Sequence, residues 1–200
     1  MSKKQFQIIE QTTRYQGFFR LDSYTLRHSL FAGGWSKPIT RELFRRGHCV
    51  AVILYDPDLD QVVLIEQFRV GAILEPGEPW LLEIVAGAVE EGETAAEVAH
   101  REALEEAGCS IEKLLLIRQF FTTPGGSAEW LSLFCGKVDS SKVGGIHGLQ
   151  EEDEDIRVTA LPFQTVYGLL EQGKIISAIP IIAIQWLYIH RQTLQQQWQS

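Results

Sequence analysis

Three glutamates, Glu102, Glu105 and Glu106, stand within the stretch Gly87 to Cys109, GAVEEGETAAEVAHREALEEAGC. Carboxylates so placed can hold a hard divalent cation, which prefers oxygen ligands. Thr94 followed three residues later by Glu97 is a capping box, which satisfies free backbone donors and predicts a helix through AAEVAHREALEEA, closed by Gly108. On such a helix Glu106 falls about 40° round from Glu102 and Glu105 about 60° to the other side, so the carboxylates crowd one face. Like charges repel at that spacing. The pairs open to Arg101, with Glu97 and with Glu105, contribute only about 0.2 to 0.5 kcal/mol each. A cation against Glu102 and Glu106 offsets the repulsion, and Mg²⁺, held by one or two carboxylates plus substrate phosphates and water, suits the pattern. The alternative is a solvated acidic helix face. The flanking glycines and the single Arg101 weigh against it.

A second acidic run, Glu151, Glu152, Asp153, Glu154 and Asp155, precedes the apolar segment IRVTALP. By itself such a run reads as a solvated loop. With a cation site elsewhere in the chain it becomes a loop that can close on that site and supply a general base. Arg41 and Arg69 carry planar guanidinium forks suited to a diphosphate, although either also fits a surface ion pair.

These residues need a scaffold. The first 47 residues alternate in strand fashion through QFQIIEQ, YQGFFRLD, SYTLRHSLF and WSKPITRELF, with a Gly33-Gly34 turn, and predict a small antiparallel β domain. Adjacent strand positions place Phe18 and Phe19 on opposite faces, one for packing and one for stacking on a base. CVAVILYD and QVVLIEQF flank a DPDLD turn and read as buried strands; WLLEIVAG, KLLLIRQFF, WLSLFCGKV and IRVTALP are further strands. QTVYGLLEQG predicts a short helix. Residues from Ser177 to about Gln196 predict a longer one, with Pro180 tolerated in its first turn.

The chain has 200 residues with 45% hydrophobic content, enough for one substantial core and a small accessory domain. Its net charge of -8 argues against nucleic-acid binding, while an anionic small substrate stays open because metals invert the local field. No apolar run fits a signal peptide or a membrane span, so the expected location is the cytoplasm. Cys49, Cys109 and Cys135 lie far apart among apolar neighbours and read as buried free thiols.

The order Gly87, Glu93, Arg101-Glu102, Ala103, Glu105-Glu106, Gly108, Cys109 resembles the Nudix box in full. RYQGFFRLD, TRELFRRGH, VVLIEQFRV, PWLLEIVAG, FTTPGGSAEW and GGIHGLQEEDEDIRV extend the resemblance over nearly the whole chain, toward the ADP-ribose-hydrolysing branch of that family. The resemblance implies an α/β (α+β) Nudix fold, a mixed β-sheet sandwiched between helices, with residues 1–47 as an N-terminal antiparallel β domain for dimerisation and substrate contacts and 48–200 as the catalytic domain. It implies Mg²⁺-dependent hydrolysis of ADP-ribose to AMP and ribose 5-phosphate, with two or three ions in each active site and Mn²⁺ as an alternative ion. The metal ligands it implies are the Ala86 carbonyl, Glu102, Glu106 and Glu154, with Glu105 acting through water; the proton acceptor is Glu152. Its substrate residues are Phe18, Phe19, Arg41, Glu42, Arg69, Ala88, Thr123, Pro124, Gly125 and Glu129, where Pro124, sixteen residues beyond Gly108, matches the marker of ADP-ribose hydrolases. It further implies a homodimer whose N-terminal sheets exchange and carry Phe18 and Phe19 to the partner's site, with neither nucleic acid nor membrane as a partner. A Nudix enzyme for another sugar nucleotide such as GDP-mannose is one rival, since carboxylates and metal are blind to base and sugar. A non-catalytic ligand sensor is the other; eroded box glutamates and a basic DNA-binding extension would mark it, whereas Glu93, Glu102, Glu105 and Glu106 all stand.

Overall fold

Strands β1 (Phe6–Gln16), β2 (Arg20–His28) and β3 (Ile39–Arg45) form an antiparallel three-stranded sheet in sequence order. The computed structural model describes residues 3–74, 76–149, 151 and 153–198, and divides them into two units. The first holds this sheet and takes up residues 120–131 besides residues 1–48. Main-chain bonds join that added segment to β3: Phe44 donates to Gly126 at 2.8 Å and accepts from Ala128 at 2.9 Å.

The β1–β2 register corrects one expectation. β1 runs unbroken to Gln16, with irregularities between Ile8 and Glu10 and between Thr13 and Tyr15, and the chain reverses at Gly17-Phe18-Phe19. A Cβ at position 17 would lie 2.4 Å from the hydroxyl of the exposed Tyr15 side chain, so that ring would have to shift aside. Phe18 and Phe19 therefore occupy a hairpin tip and do not alternate across a strand. Their rings meet edge-on at 4.8 Å, and Phe19 tilts onto Phe44 at 4.9 Å. Buried Asp22 anchors the sheet, accepting from Arg20 Nε at 2.7 Å, the Thr13 hydroxyl at 2.9 Å and Gln11 at 3.1 Å.

The second unit comprises residues 49–119 and 132–200. Its large sheet is built on β4 (His48–Asp56), β5 (Gln61–Phe68), β8 (Lys113–Phe121), β9 (Trp130–Lys137), β10 (Gly144–His147) and β11 (Ile156–Pro162), in the order β10-β11-β5-β4-β9-β8. β4 and β5 pair only over Leu54–Asp56 with Gln61–Val63, where the DPDLD turn joins them. Beyond that they splay, and the segment WLLEIVAGA fills the gap: β6 (Trp80–Glu83) pairs with β5, β7 (Val85–Ala88) pairs with β4. One apolar segment is thus pinned to both halves of the sheet, which fixes Ala86 and Gly87 at its centre.

Strand alternation gives the sheet two apolar faces. Val63 and Ile65 of β5 join a core with Val50, Val52, Val85, Ile156 and the inner stripe of helix α1 (Ala95–Ala107). Helices α2 (Phe163–Glu171) and α3 (Ala178–Trp198) add a second layer through Phe163, Val166, Ala183, Ile184 and Leu187, all buried, so the sheet lies between helices as the resemblance implied. Pro180 sits in the first turn of α3, where its missing N–H breaks no helical bond. Cys109 and Cys135 are buried free thiols, and Cys49 is buried as well. Among the described residues no helix is long and apolar enough to cross a membrane.

Candidate active site

Helix α1 begins as the capping box predicts: the Thr94 side chain accepts from the Glu97 N–H, and the Glu97 carboxylate accepts from the Thr94 N–H at 2.8 Å. Gly108 ends it in the left-handed conformation, φ 62°. Val98, Ala99, Ala103 and Ala107 form the stripe against the sheet, with alanines that allow close approach. Glu106 follows Ala99 by one heptad, about 20° away on the helix surface, so periodicity drives its carboxylate into this stripe and away from solvent.

Only 3% of Glu106 is exposed, and its carboxylate accepts the Ala86 N–H at 2.9 Å. Among the described residues no cation lies within ion-pair distance of it. Burial pushes its pKa up to about 8, with Glu102 and Glu154 adding to the rise and the Ala86 N–H and Arg69 opposing it. Glu102 is pushed up to about 7, chiefly by burial, against the pull of Arg101. Its carboxylate lies over Gly87: a Cβ at position 87 would be 1.7 Å from Glu102 Oε1. The box glycine therefore makes room for a carboxylate.

Arg101 binds Glu93 at 3.0 Å, Glu102 at 2.9 Å and Glu105 at 2.9 Å. It does not pair with Glu97, which the capping box consumes. The Glu93 bond ties the loop before α1 to the helix, and a contact at 3.5 Å reaches the Ala88 carbonyl. One guanidinium shared among several carboxylates leaves buried Glu106 and part-buried Glu102 short of positive charge, which is the chemistry of a site for a divalent ion. Among the described residues no three His, Cys, Asp or Glu side chains already enclose such a position. The carboxylates point instead at protein donors: Glu102 and Glu105 at Arg101, Glu106 at Ala86, Glu154 at the Leu149 N–H at 3.2 Å.

Arg69 follows β5 in extended conformation, φ -126° and ψ 110°, and its N–H donates to Pro79 O at 2.8 Å, which continues the β5–β6 ladder. Its Nε binds Glu83 at 2.7 Å, and Glu83 in turn accepts the Ser177 hydroxyl at 2.6 Å. Two residues back, Gln67 points to the same face and is 7% exposed, and its amide nitrogen finds no acceptor. Gln67, Glu83 and Ser177 were not singled out from sequence. For Gln67 a signal existed, a polar residue in phase with Val63 and Ile65; Glu83 and Ser177 gave none. Glu152 lies outside the described residues.

The remaining candidates belong to the first unit. Arg41, Pro124 and Gly125 line a cavity of about 400 Å³ with Ile8, Tyr24 and Leu26, and Glu42 borders it. Arg41 donates to the Thr40 carbonyl at 2.7 Å. The Thr123 carbonyl accepts the Ser127 N–H at 3.0 Å, which curls the Pro124-Gly125 turn. Glu129 is held on both oxygens, by Arg46 at 2.8 Å and by the Thr122 hydroxyl at 2.6 Å. Arg46, also not singled out from sequence, lies over the Phe19 ring at 5.5 Å and so links Glu129 to the hairpin tip. Phe18 is 96% exposed.

Comparison with known proteins accords with this geometry. The chain is 46% identical over 196 residues to the ADP-ribose pyrophosphatase of Escherichia coli, covering 98% of this chain and 94% of that one. It is 44% identical over 200 residues to the ADP-ribose pyrophosphatase of Haemophilus influenzae, covering 98% and 92%. The GDP-mannose pyrophosphatase of Cronobacter sakazakii is 33% identical over 155 residues, 74% of this chain and 78% of that protein. A crystal structure of an ADP compounds hydrolase superposes with a TM-score of 0.72 at 20% identity, covering 98% of both chains, which shows the shared fold. The NUDIX domain profile matches residues 45–177, a span that includes both the box helix and the acidic loop, and the chain belongs to the NUDIX domain family.

Proposed function

We propose that this protein hydrolyses ADP-ribose to AMP and ribose 5-phosphate with the help of divalent cations, Mg²⁺ foremost and Mn²⁺ as an alternative. The observation that carries the reading is the carboxylate pair of part-buried Glu102, over Gly87, and buried Glu106, on the Ala86 N–H and without an ion-pair partner, with Arg69 acting on Glu106. Glu102, Glu106 and Glu154, with the Ala86 carbonyl and Glu105 through water, would hold two or three ions. Bound there, the ions would neutralise the diphosphate oxygens and make a water more acidic. Arg69, held at Nε by Glu83, offers its terminal nitrogens to phosphate oxygens, and the Gln67 amide is a second donor. Glu152 accepts a proton from the attacking water, whose oxygen joins one phosphorus as the bridging oxygen leaves with the other product.

Phe18, Phe19, Arg41, Glu42, Ala88, Thr123, Pro124, Gly125 and Glu129 complete the substrate contacts in this reading. It extends to a homodimer in the cytoplasm whose N-terminal units, residues 1–47, exchange and present Phe18 and Phe19 to the partner's catalytic domain, residues 48–200. The exposure of Phe6 at 72%, Ile8 at 47% and Ile9 at 51% supports a covered surface along β1, where large apolar side chains cluster in the open. The higher identity to ADP-ribose pyrophosphatases than to the GDP-mannose enzyme favours ADP-ribose. The test is kcat/KM for ADP-ribose, GDP-mannose and other nucleoside diphosphate sugars, each with Mg²⁺ and after chelation. ADP-ribose should lead and chelation should abolish turnover. Preference for another sugar nucleotide, or turnover that survives chelation, overturns the reading.

A further inference from the structure

The last glycine of the box, Gly108, does more than end its helix. A Cβ built at position 108 would lie 2.6 Å from His147 Cε1 and 3.2 Å from Nδ1, so the imidazole ring is seated against the helix terminus where only glycine leaves space. The ring is held from its other side, with Nε2 in hydrogen-bond contact with the Gly144 carbonyl at 3.0 Å. The next residue bonds the helix directly: the Gly148 N–H donates to the Glu105 carbonyl at 3.3 Å. Opposite His147 stands Ile156, the last register pair of the β10–β11 hairpin, and Ile156 is fully buried. From that anchored base Glu154 is bonded back to Leu149. The Glu154 N–H donates to Leu149 O at 3.2 Å, the Leu149 N–H donates to Glu154 Oε2 at 3.2 Å, and a Cβ at Gly148 would lie 2.7 Å from Glu154 Cβ.

We propose that His147 is a positioning residue, a latch that seats under Gly108 and fixes the Glu154 loop to the end of the helix carrying Glu102 and Glu106. Its role is to hold the loop and not to bind substrate. It sets the spacing between two groups of carboxylates that arrive from different parts of the chain. The inference rests on the reading that Glu154 serves the same divalent-ion site as the box glutamates.

The experiment uses the full chain with His147→Ala, Gly108→Ala and the double substitution. For each, kcat, KM for ADP-ribose, the Mg²⁺ concentration at half-maximal rate and Tm are measured, together with amide hydrogen exchange at Gly148, Leu149 and Glu154. His147→Ala should lower kcat and raise the half-saturating Mg²⁺ on the order of tenfold, as loss of an outer support of a metal ligand does. KM for ADP-ribose should stay at its wild-type value. Gly108→Ala should reproduce that kinetic loss, because a methyl group forces the ring off its seat, and should also lower Tm through its left-handed backbone. In the double variant the kinetic losses should not multiply, since both changes remove one contact. Exchange at the three amides should quicken in every variant. Wild-type kinetics in His147→Ala, or kinetic losses that multiply, overturns the latch. Failure of the wild-type protein to cleave ADP-ribose would instead sink the proposed function; the exchange data still decide the latch, and unchanged protection in His147→Ala refutes it.

Discussion

Replacing Glu106 by Gln should do two opposite things, and both follow from its burial. In the metal-free protein the carboxyl has its pKa raised from 4.5 to about 8. A carboxyl raised on folding leaves stability untouched at pH values where both folded and unfolded chains are protonated. As pH rises through the unfolded value the unfolded chain ionises first, so folding loses free energy steadily until the folded pKa is passed. Near neutral pH the interval from 4.5 spans roughly 2.5 pH units, which at 1.36 kcal/mol per unit is about 3 kcal/mol. That is an upper bound, because the rise includes repulsion by Glu102, which is itself raised to about 7 and so only partly ionised near neutral pH. Gln keeps the acceptor oxygen for the Ala86 N–H and carries no charge. Metal-free Glu106→Gln should therefore melt higher than metal-free wild type near neutral pH, by roughly 6 to 12 °C at the bound for a chain of this size. The gain should shrink toward zero at about pH 4.5, and saturating Mg²⁺ should cut it, because the ion stabilises only the wild-type carboxylate. The same variant should lose kcat by orders of magnitude. Calorimetric or fluorescence melts from acid to alkaline pH, with chelator and with Mg²⁺, read all of this. A metal-free variant that melts below wild type at neutral pH, or a difference that ignores pH, would refute the argument that burial and cation scarcity define this carboxylate.

Other consequences are equally direct. Gly87→Ala places a methyl group where Glu102 Oε1 now lies, so the carboxylate must swing away; kcat should drop at least tenfold on the scale of misplaced ligand supports, with little change in Tm, and wild-type kinetics would dismiss the glycine as a mere turn. Gln67→Leu removes a buried donor without an acceptor, so Tm should rise while kcat/KM falls, an unpaired donor costing about 1 to 3 kcal/mol when buried; a lower Tm with unchanged kcat/KM would mean the amide serves packing alone. Asp22, whose carboxyl is held below its ordinary value by Arg20, stabilises the first unit above about pH 4 and loses that contribution on further acidification. Asp22→Asn should accordingly lower Tm at neutral pH and flatten its dependence on acid; an Asn variant as stable as wild type at neutral pH would show the network to be idle.

The box helix was readable because its rules are local. A capping box and a terminal glycine act over a few residues, and both stand where the spacing placed them. The strands of the large sheet were readable for the same reason, as apolar runs between turns. The hairpin at Phe18 and Phe19 was not. Strand periodicity continues through YQGFFRLD, and nothing in the alternation says that the chain reverses there. Of the two partners that helical spacing offered Arg101, Glu105 pairs with it, whereas Glu97 was already engaged by Thr94.

By itself the sequence determined which side chains can carry the chemistry, because the order of glutamates, glycines and arginine along the box is a statement about residue types and helical phase. What only the tertiary structure decided is how distant segments meet: that β4 and β5 splay so one apolar segment pins Ala86 beside Glu106, that Gly87 clears space for Glu102, and that His147 seats under Gly108 to bring Glu154 within the field of both. Such approaches are set by pairing register and by the absence of a Cβ at one position opposite a side chain far away in sequence, and no local rule records them.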